Sequence, residues 1–411
     1  MESALLSHRP SYAILAGLLV MLLQVFVAVV FLAPEGPIST RYYSLVQHDS
    51  YWFESIVDNG YRTILPPISR KMMEVSNVAF FPAYPAIATG LHRGFGLDTP
   101  LALLVTAQAA AWGFWTYFFL FCQRWKVSRA AQALGAALIA AHPTAFFLVA
   151  GYSESLFLMA LLGFMYWSTE KGKTAQILAA VHGVFMSATR IVGIPCAAYP
   201  FVRRVADQGW AGLRDVRGWF ARYAAPFALM VVSTLGAAAF FVYCLFRWGR
   251  WDLYMLTQEA GWGVKPDYLA VFRPVSYRWL IPPLDDPTQW SQMTMTLGAL
   301  LLVAVGLFEL IPALRRQTSW PTRVGFYFVA AITFYISVSG VASVQMESML
   351  RYQFCAHALI VLALMNFLAE LRPLPVAGRV LGMAATALLV AAGLSLQGWW
   401  IWNFTRGAWV A

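Results

Sequence analysis

Residues 12–32 read YAILAGLLVMLLQVFVAVVFL, an apolar run interrupted only by Gln24. Roughly 20 apolar residues in helical form cross the hydrocarbon of a bilayer, so this run predicts a spanning helix. It is long for a signal-peptide core, and no convincing small-residue cleavage site precedes Pro34. A retained span over 11–33 is therefore expected.

Comparable runs recur along the whole chain. Further spans are expected near 98–122, 130–150, 154–170, 174–188, 190–203, 222–248, 291–313, 324–343, 350–370 and 378–400. The pair 174–188 and 190–203 is short enough to form one broken span, so the count is ten or eleven. Backbone groups in lipid must bond within their own segment, which makes these spans helices. The runs are continuously apolar rather than alternating, against a β-barrel. Composition agrees: 60% of the 411 residues are hydrophobic and 12% are charged. A soluble domain carries about 25% charged residues and could not cover so apolar a surface. Without tandem repeats, low-complexity tracts or a soluble domain, the expectation is one all-α polytopic membrane domain over 1–411.

The net charge of +10 lies in short loops between apolar runs. That is the signature of membrane topology, and no nucleic-acid function is read from it. Positive charge stays inside, which assigns several loops to the cytoplasm: His8-Arg9, Arg124 to Arg129, Lys171 and Lys173, Arg203 and Arg204 with Arg214 to Arg222, Arg315 and Arg316 with Arg323, and Arg372 with Arg379. The alternation works only if Ala79 to Leu91, interrupted by Pro82 and Pro85, does not span. It is expected as an interfacial helix in a long first outer loop, 34–97. A second large outer loop covers 249–290, and short outer turns fall at Gly151 to Glu154 and Ser343 to Tyr352.

The outer face then collects the chemistry. In Gln47-His48-Asp49-Ser50-Tyr51-Trp52-Phe53 an acid sits just beyond the first span, between aromatic residues. Its carboxylate can accept a proton from a substrate hydroxyl as a general base; an ordinary solvated loop acid fits about as well. Glu154 follows Ser153 at the start of a span, where an acid is favoured by the helix dipole or can orient a substrate. Arg190 and Arg351 lie at the outer ends of apolar stretches, where positive charge is disfavoured. Snorkelling to the interface is one account; the other is a bidentate grip on the phosphate of an anionic lipid. Thr257-Gln258-Glu259-Ala260-Gly261-Trp262-Gly263 offers groups for sugar hydroxyls and a ring face for stacking, although Trp262 also suits interface anchoring.

Cys122, Cys196, Cys244 and Cys355 lie in apolar runs without metal-ligand spacing and read as small buried hydrophobes. His48, His92, His142 and His182 are scattered, with no metal pattern. No glycine-rich phosphate loop is present. Neither nucleotide use nor a resident metal is expected; a divalent ion would require Asp49 and Glu154 to converge.

Asp49-Ser50-Tyr51-Trp52 through Asn59-Gly60-Tyr61, followed by Ala79-Phe80-Phe81-Pro82-Ala83-Tyr84-Pro85, resembles the signature of the PIG-V-type mannosyltransferases. Tyr152-Ser153-Glu154-Ser155-Leu156-Phe157, Ala188-Thr189-Arg190, Gln258 with Trp262-Gly263, and Arg351-Tyr352 occur in the order that family shows. The matches run from about residue 47 to 352. The resemblance implies the GT-C glycosyltransferase fold and a polyprenyl-phosphate sugar donor used on the outer or lumenal face. It also implies a lipid or glycolipid acceptor and inversion by direct displacement. Asp49 takes the position of the acid in the first outer loop. Arg190 and Arg351 become ligands of the donor phosphate. His48, Trp52, Tyr61, Tyr152, Glu154, Gln258, Trp262 and Tyr352 become substrate contacts. The chain departs from the family in having His48 before the acid, where Trp is usual, and in lacking an acid soon after Gly60-Tyr61; Glu74 comes late. A bacterial inner-membrane enzyme with a periplasmic site is expected, or an ER enzyme if the source is eukaryotic. The rival class is a lipid or glycolipid transporter or flippase. It would need ionisable groups near the bilayer midplane and paired repeats, whereas here they gather at one face.

Overall fold

The computed structural model describes residues 10–65, 75–214, 216–310, 319–346, 348–368 and 376–410. His8, Arg9, Glu74, Arg315, Arg316 and Arg372 lie outside these, as do the ends of the expected spans 291–313 and 350–370. All regular structure among the described residues is helical.

The chain opens with α1 (Pro10–Phe26), which continues as a π-helical turn, Val27–Leu32. The following loop holds α2 (Ile38–Tyr43), α3 (Asp49–Asn59) and α4 (Ala83–Phe95). At 13 residues, α4 is about 20 Å long and cannot cross some 30 Å of hydrocarbon. Next come α5 (Thr99–Arg124), α6 (Arg129–Ala140), α7 (Glu154–Trp167) and α8 (Lys173–Thr189). After a one-turn helix, Gly193–Cys196, follow α9 (Tyr199–Arg214) and α10 (Val216–Trp248). The remaining elements are α11 (Leu253–Trp262), α12 (Pro287–Glu309), α13 (Trp320–Val341), α14 (Met349–Leu368) and α15 (Val376–Phe404).

Local chemistry fixes several boundaries. The Asp98 carboxylate accepts from Leu101 N at 2.8 Å and starts α5, and Asp286 accepts from Gln289 N at 2.9 Å to start α12. Both are N-caps with a proline in the first turn, Pro100 second in α5 and Pro287 first in α12, where its missing N–H costs nothing.

Among the described residues, seven helices are long and apolar enough to cross a membrane: Pro10–Leu32, Thr99–Arg124, Gly218–Trp248, Pro287–Glu309, Trp320–Val344, Met349–Asn366 and Gly382–Phe404. The other expected spans are shorter helices. The run 130–150 divides because Pro143 disfavours helical geometry in the residue before it; α6 stops at Ala140 and a 3-10 turn occupies Ala145–Leu148. The run 190–203 breaks between Cys196 and Tyr199. Within the described spanning helices every Asp, Glu, Lys and Arg lies in roughly the two turns nearest an end.

Packing makes α14 the centre. It contacts α6, α12 and α13, while α1, α5, α7, α8 and α10 pack in succession and α9 bridges α10 to α13. The apolar window of α14 is 83% buried, against 17% for α15, which faces outward. At the end of the molecule opposite Asp49, Arg323 Nε meets Glu309 Oε1 at 2.6 Å, and the Tyr327 hydroxyl donates to the same oxygen.

α8 crosses α10 at close range. A Cβ on Gly236 would stand 2.1 Å from the Val184 carbonyl oxygen and 2.8 Å from Ala188 Cβ. Small residues are what allow two helix backbones to approach this closely. Gly236→Val should push the helices apart and destabilise the fold by about 1–3 kcal/mol. Gly306→Val, where no atom lies within 4 Å, should leave it unchanged. Thermal unfolding of both variants in detergent checks this, and equal melting temperatures would refute it.

Candidate functional site

Two loops are stitched together at one end of the bundle. Ser50 Oγ donates to Gly151 O at 2.9 Å, and Gly151 N donates to Leu45 O at 3.1 Å. The Tyr152 hydroxyl donates to Gln47 O at 3.1 Å. A Cβ at Gly151 would sit 2.9 Å from Ser50 Oγ and would displace that hydroxyl from its bond. The stitching sets the first residues of α3 and α7, Asp49 and Glu154, side by side.

The third residue of α14 enters between them. Arg351 Nη1 donates to Asp49 Oδ2 at 2.7 Å, and its Nε lies 3.3 Å from Glu154 Oε1. Arg190, at the C-terminal cap of α8, donates from Nη1 to the same Glu154 oxygen at 2.6 Å. The four charges form a chain of alternating sign: Asp49, Arg351, Glu154, Arg190. Its centre is buried, with Glu154 2% and Arg351 4% exposed. Its ends are more open, with Asp49 at 19% and Arg190 at 17%. Glu154 Oε2 is buried without a hydrogen-bond partner.

Aromatic rings enclose the guanidiniums. The Arg351 guanidinium carbon lies 5.0 Å from the ring centres of Tyr152 and Tyr352 and 5.6 Å from that of Phe147. Arg190 lies 4.9 Å from the Tyr352 ring, and the Tyr352 hydroxyl accepts from Arg351 Nη2 at 3.2 Å. Such cation–π contacts strengthen as water is excluded. Burial, and then the negative charge of Asp49, push the Tyr152 hydroxyl well above its usual range, so it remains a proton donor.

An aromatic shelf adjoins the cluster. Trp52 is three residues beyond Asp49 and so shares its helix face. It stacks on Phe80 with centroids 6.1 Å apart and meets Trp262 of α11 edge-on at 5.8 Å. Gln258 Nε2 donates to Ala79 O at 3.2 Å, tying α11 to the strand of chain that carries Phe80. On the far side of α3, burial and the charges of Asp58 and Asp98 raise the Glu54 carboxyl.

Of the residues singled out in the sequence, Asp49, Tyr152, Glu154, Arg190, Arg351 and Tyr352 meet in one cluster, and Trp52 and Trp262 meet in the shelf. Gln258 bonds to backbone. Tyr61 packs on Phe240 and Tyr243 and donates to Phe80 O, so it supports the shelf from behind. His48 faces away from the charges: its Nε2 is 3.0 Å from Ala408 O and its ring meets Phe404 and Trp409. Asp49 and Glu154 do converge, with the Arg351 guanidinium between them. No group of three potential ligands for a metal occurs among the described residues. Sequence reading missed Phe147, Phe80 as part of the shelf, and the chain end at Phe404 to Trp409. The density of Trp and Phe near the C-terminus was the available signal.

No family model matches this chain. No curated protein matches it either. Among solved structures it is similar to the archaeal oligosaccharyltransferase AglB from Archaeoglobus fulgidus, in complex with an inhibitory peptide and a dolichol-phosphate. The identity is 12% and the TM-score 0.53, over 96% of this chain and 56% of that one. The chain thus spans just over half the length of that protein. The likeness shows the fold alone: the all-helical, polytopic arrangement of this chain is shared with just over half of that protein.

Glu154 is the counter-charge for two arginines. Glu154→Ala should leave both uncompensated and cost about 3–5 kcal/mol, as for a broken buried ion pair. Glu154→Gln should recover part of this by keeping the hydrogen bond. Melting temperatures in detergent test it; an unaltered value for the alanine variant would show that the cluster contributes nothing to stability.

Proposed function

We propose that this protein is a glycosyltransferase that moves a sugar, mannose on the family resemblance, from a polyprenyl-phosphate carrier to a hydroxyl of a lipid or glycolipid acceptor. The observation that carries the reading is the meeting of Asp49 and Arg351 at 2.7 Å across 302 residues of sequence. It puts a candidate base and a candidate phosphate ligand at one point, beside an aromatic shelf suited to a sugar ring. The fold shared with an oligosaccharyltransferase supports it. So does the placing of every Asp, Glu, Lys and Arg of the described spans near a helix end, away from the midplane sites that transporters use.

In this mechanism the acceptor oxygen attacks the anomeric carbon as that carbon's bond to the phosphate oxygen breaks. The hydroxyl proton passes to Asp49. The bonding pair leaves with the polyprenyl phosphate, which gains one negative charge, and the configuration inverts. The donor phosphate, held by Arg190, competes with Asp49 for the Arg351 guanidinium, and the carboxylate so released is the one that takes the proton. Trp52, Phe80 and Trp262 hold the sugar; Tyr152 and Glu154 keep Arg351 in place. We place the reaction on the extracytoplasmic face of a bacterial inner membrane, following the distribution of basic loops.

Transfer from defined polyprenyl-phosphate sugars to a membrane lipid extract, with mass analysis of products, tests the reaction. Asp49→Asn should lower turnover by about 10²–10⁴, the range for loss of a general base, without loss of folding. Wild-type rates in that variant would overturn the role. Arg190→Ala removes a charge-assisted contact worth about 1.5–3 kcal/mol, so donor affinity should fall roughly tenfold to a hundredfold. Unchanged donor affinity would remove Arg190 from the phosphate site.

A further inference from the structure

Between α11 and α12, residues 268–284 present an apolar surface that none of the described residues covers. Leu269, Phe272, Val275, Trp279, Leu280 and Ile281 all point outward; Phe272 is 77%, Ile281 79% and Val275 84% exposed. The segment is nevertheless held firmly. Asp267 N donates to Ser339 O at 2.8 Å, Arg278 N to Thr296 Oγ1 at 2.9 Å, and the Tyr335 hydroxyl to Tyr268 O at 3.1 Å. Asp267 takes both ends of the Arg273 guanidinium, at 2.6 and 3.2 Å. Ala270 is buried with Met295, Phe334 and Val338. A docked backbone with an uncovered apolar outer face marks an interaction surface.

Its position selects the partner. The segment runs directly into α12, a helix apolar and long enough to span. Leu297, Leu300, Val303 and Leu307 of α12 are exposed at spacings of three and four, the stripe of a helix that faces lipid. The exposed side chains of 268–284 extend that stripe beyond the start of the span. Trp279 beside Arg273 and Arg278 is the composition of a membrane interface.

We propose that residues 268–284 insert their apolar side chains into the lipid leaflet on the Asp49 side, making the segment a membrane-docking surface. Its inner side walls a cavity of about 430 Å³ lined by Asp267, Arg273, Ser276, Gln292 and Gln345. Insertion sets this polar recess at the depth of lipid headgroups. The inference does not depend on the transferase reading.

The four native cysteines are buried, which favours site-directed spin labelling. Nitroxides at Phe272→Cys and Ile281→Cys are compared with Leu300→Cys as lipid reference and Lys171→Cys as aqueous reference, with the full chain in phosphatidylcholine–phosphatidylglycerol liposomes. The collision ratio of oxygen to a nickel chelate should be severalfold higher at 272 and 281 than at 171, approaching that at 300. A ratio equal to that at 171 would overturn the proposal, because the surface would then face water. Exclusion of both reagents would also overturn it, because a protein surface would then cover the segment.

Discussion

A guanidinium that is 4% exposed must be compensated where it lies, since taking a charge out of water costs several kcal/mol even after relaxation. Arg351 satisfies this by drawing in two carboxylates, Asp49 from the first long loop and Glu154 from the start of α7. Neither acid alone suffices, because Arg190 claims the same Glu154 oxygen at 2.6 Å. The alternating chain of four charges is neutral as a whole, so it can sit at the end of an apolar bundle. The cluster ties α3, α7, α8 and α14 together, because each helix brings one charge at its terminus.

The aromatic surroundings complete this constraint. Phe147, Tyr152 and Tyr352 cover the faces of Arg351 and keep water from competing with its carboxylates. The loop that delivers Asp49 is itself under tension. His48 adopts φ 52° and ψ −111°, a region that costs a side-chain-bearing residue about 1–3 kcal/mol. The chain end offsets this: Ala408 O takes the His48 ring nitrogen while Phe404 and Trp409 pack on its ring. The last helix thus acts on the site through the residue beside the proposed base.

The helices were legible because a spanning run has a length and composition that little else shares. The shortening of 130–150 was less so: hydropathy continues through His142-Pro143, and only the backbone restriction at proline ends α6. Asp49, Glu154, Arg190 and Arg351 could each be singled out because a charge at the edge of an apolar run is rare. Their pairing could not be read, since Arg351 is separated from Asp49 by 302 residues and Arg190 from Glu154 by 36. Tyr61 and His48 sit in the same motif as Asp49 but turn away from it, because neighbours on a helix or in a loop point in different directions. Order along the chain tells which residues are near, and not which way they face.

The neutrality of the cluster bears on how it would handle an anion. Both guanidiniums are bonded to carboxylates, so an incoming phosphate meets no free positive charge. It first meets the more open ends of the chain, Arg190 at 17% and Asp49 at 19% exposure. Glu154 Oε2 has no partner, so Glu154 can hold Arg190 while Arg351 shifts. On the transferase reading, phosphate and Asp49 compete for Arg351: engagement of the donor loosens the carboxylate, and a loosened carboxylate is the one that can take a proton from the acceptor. On that reading the ion pair that stabilises the cluster also holds the proposed base until a donor phosphate takes its place.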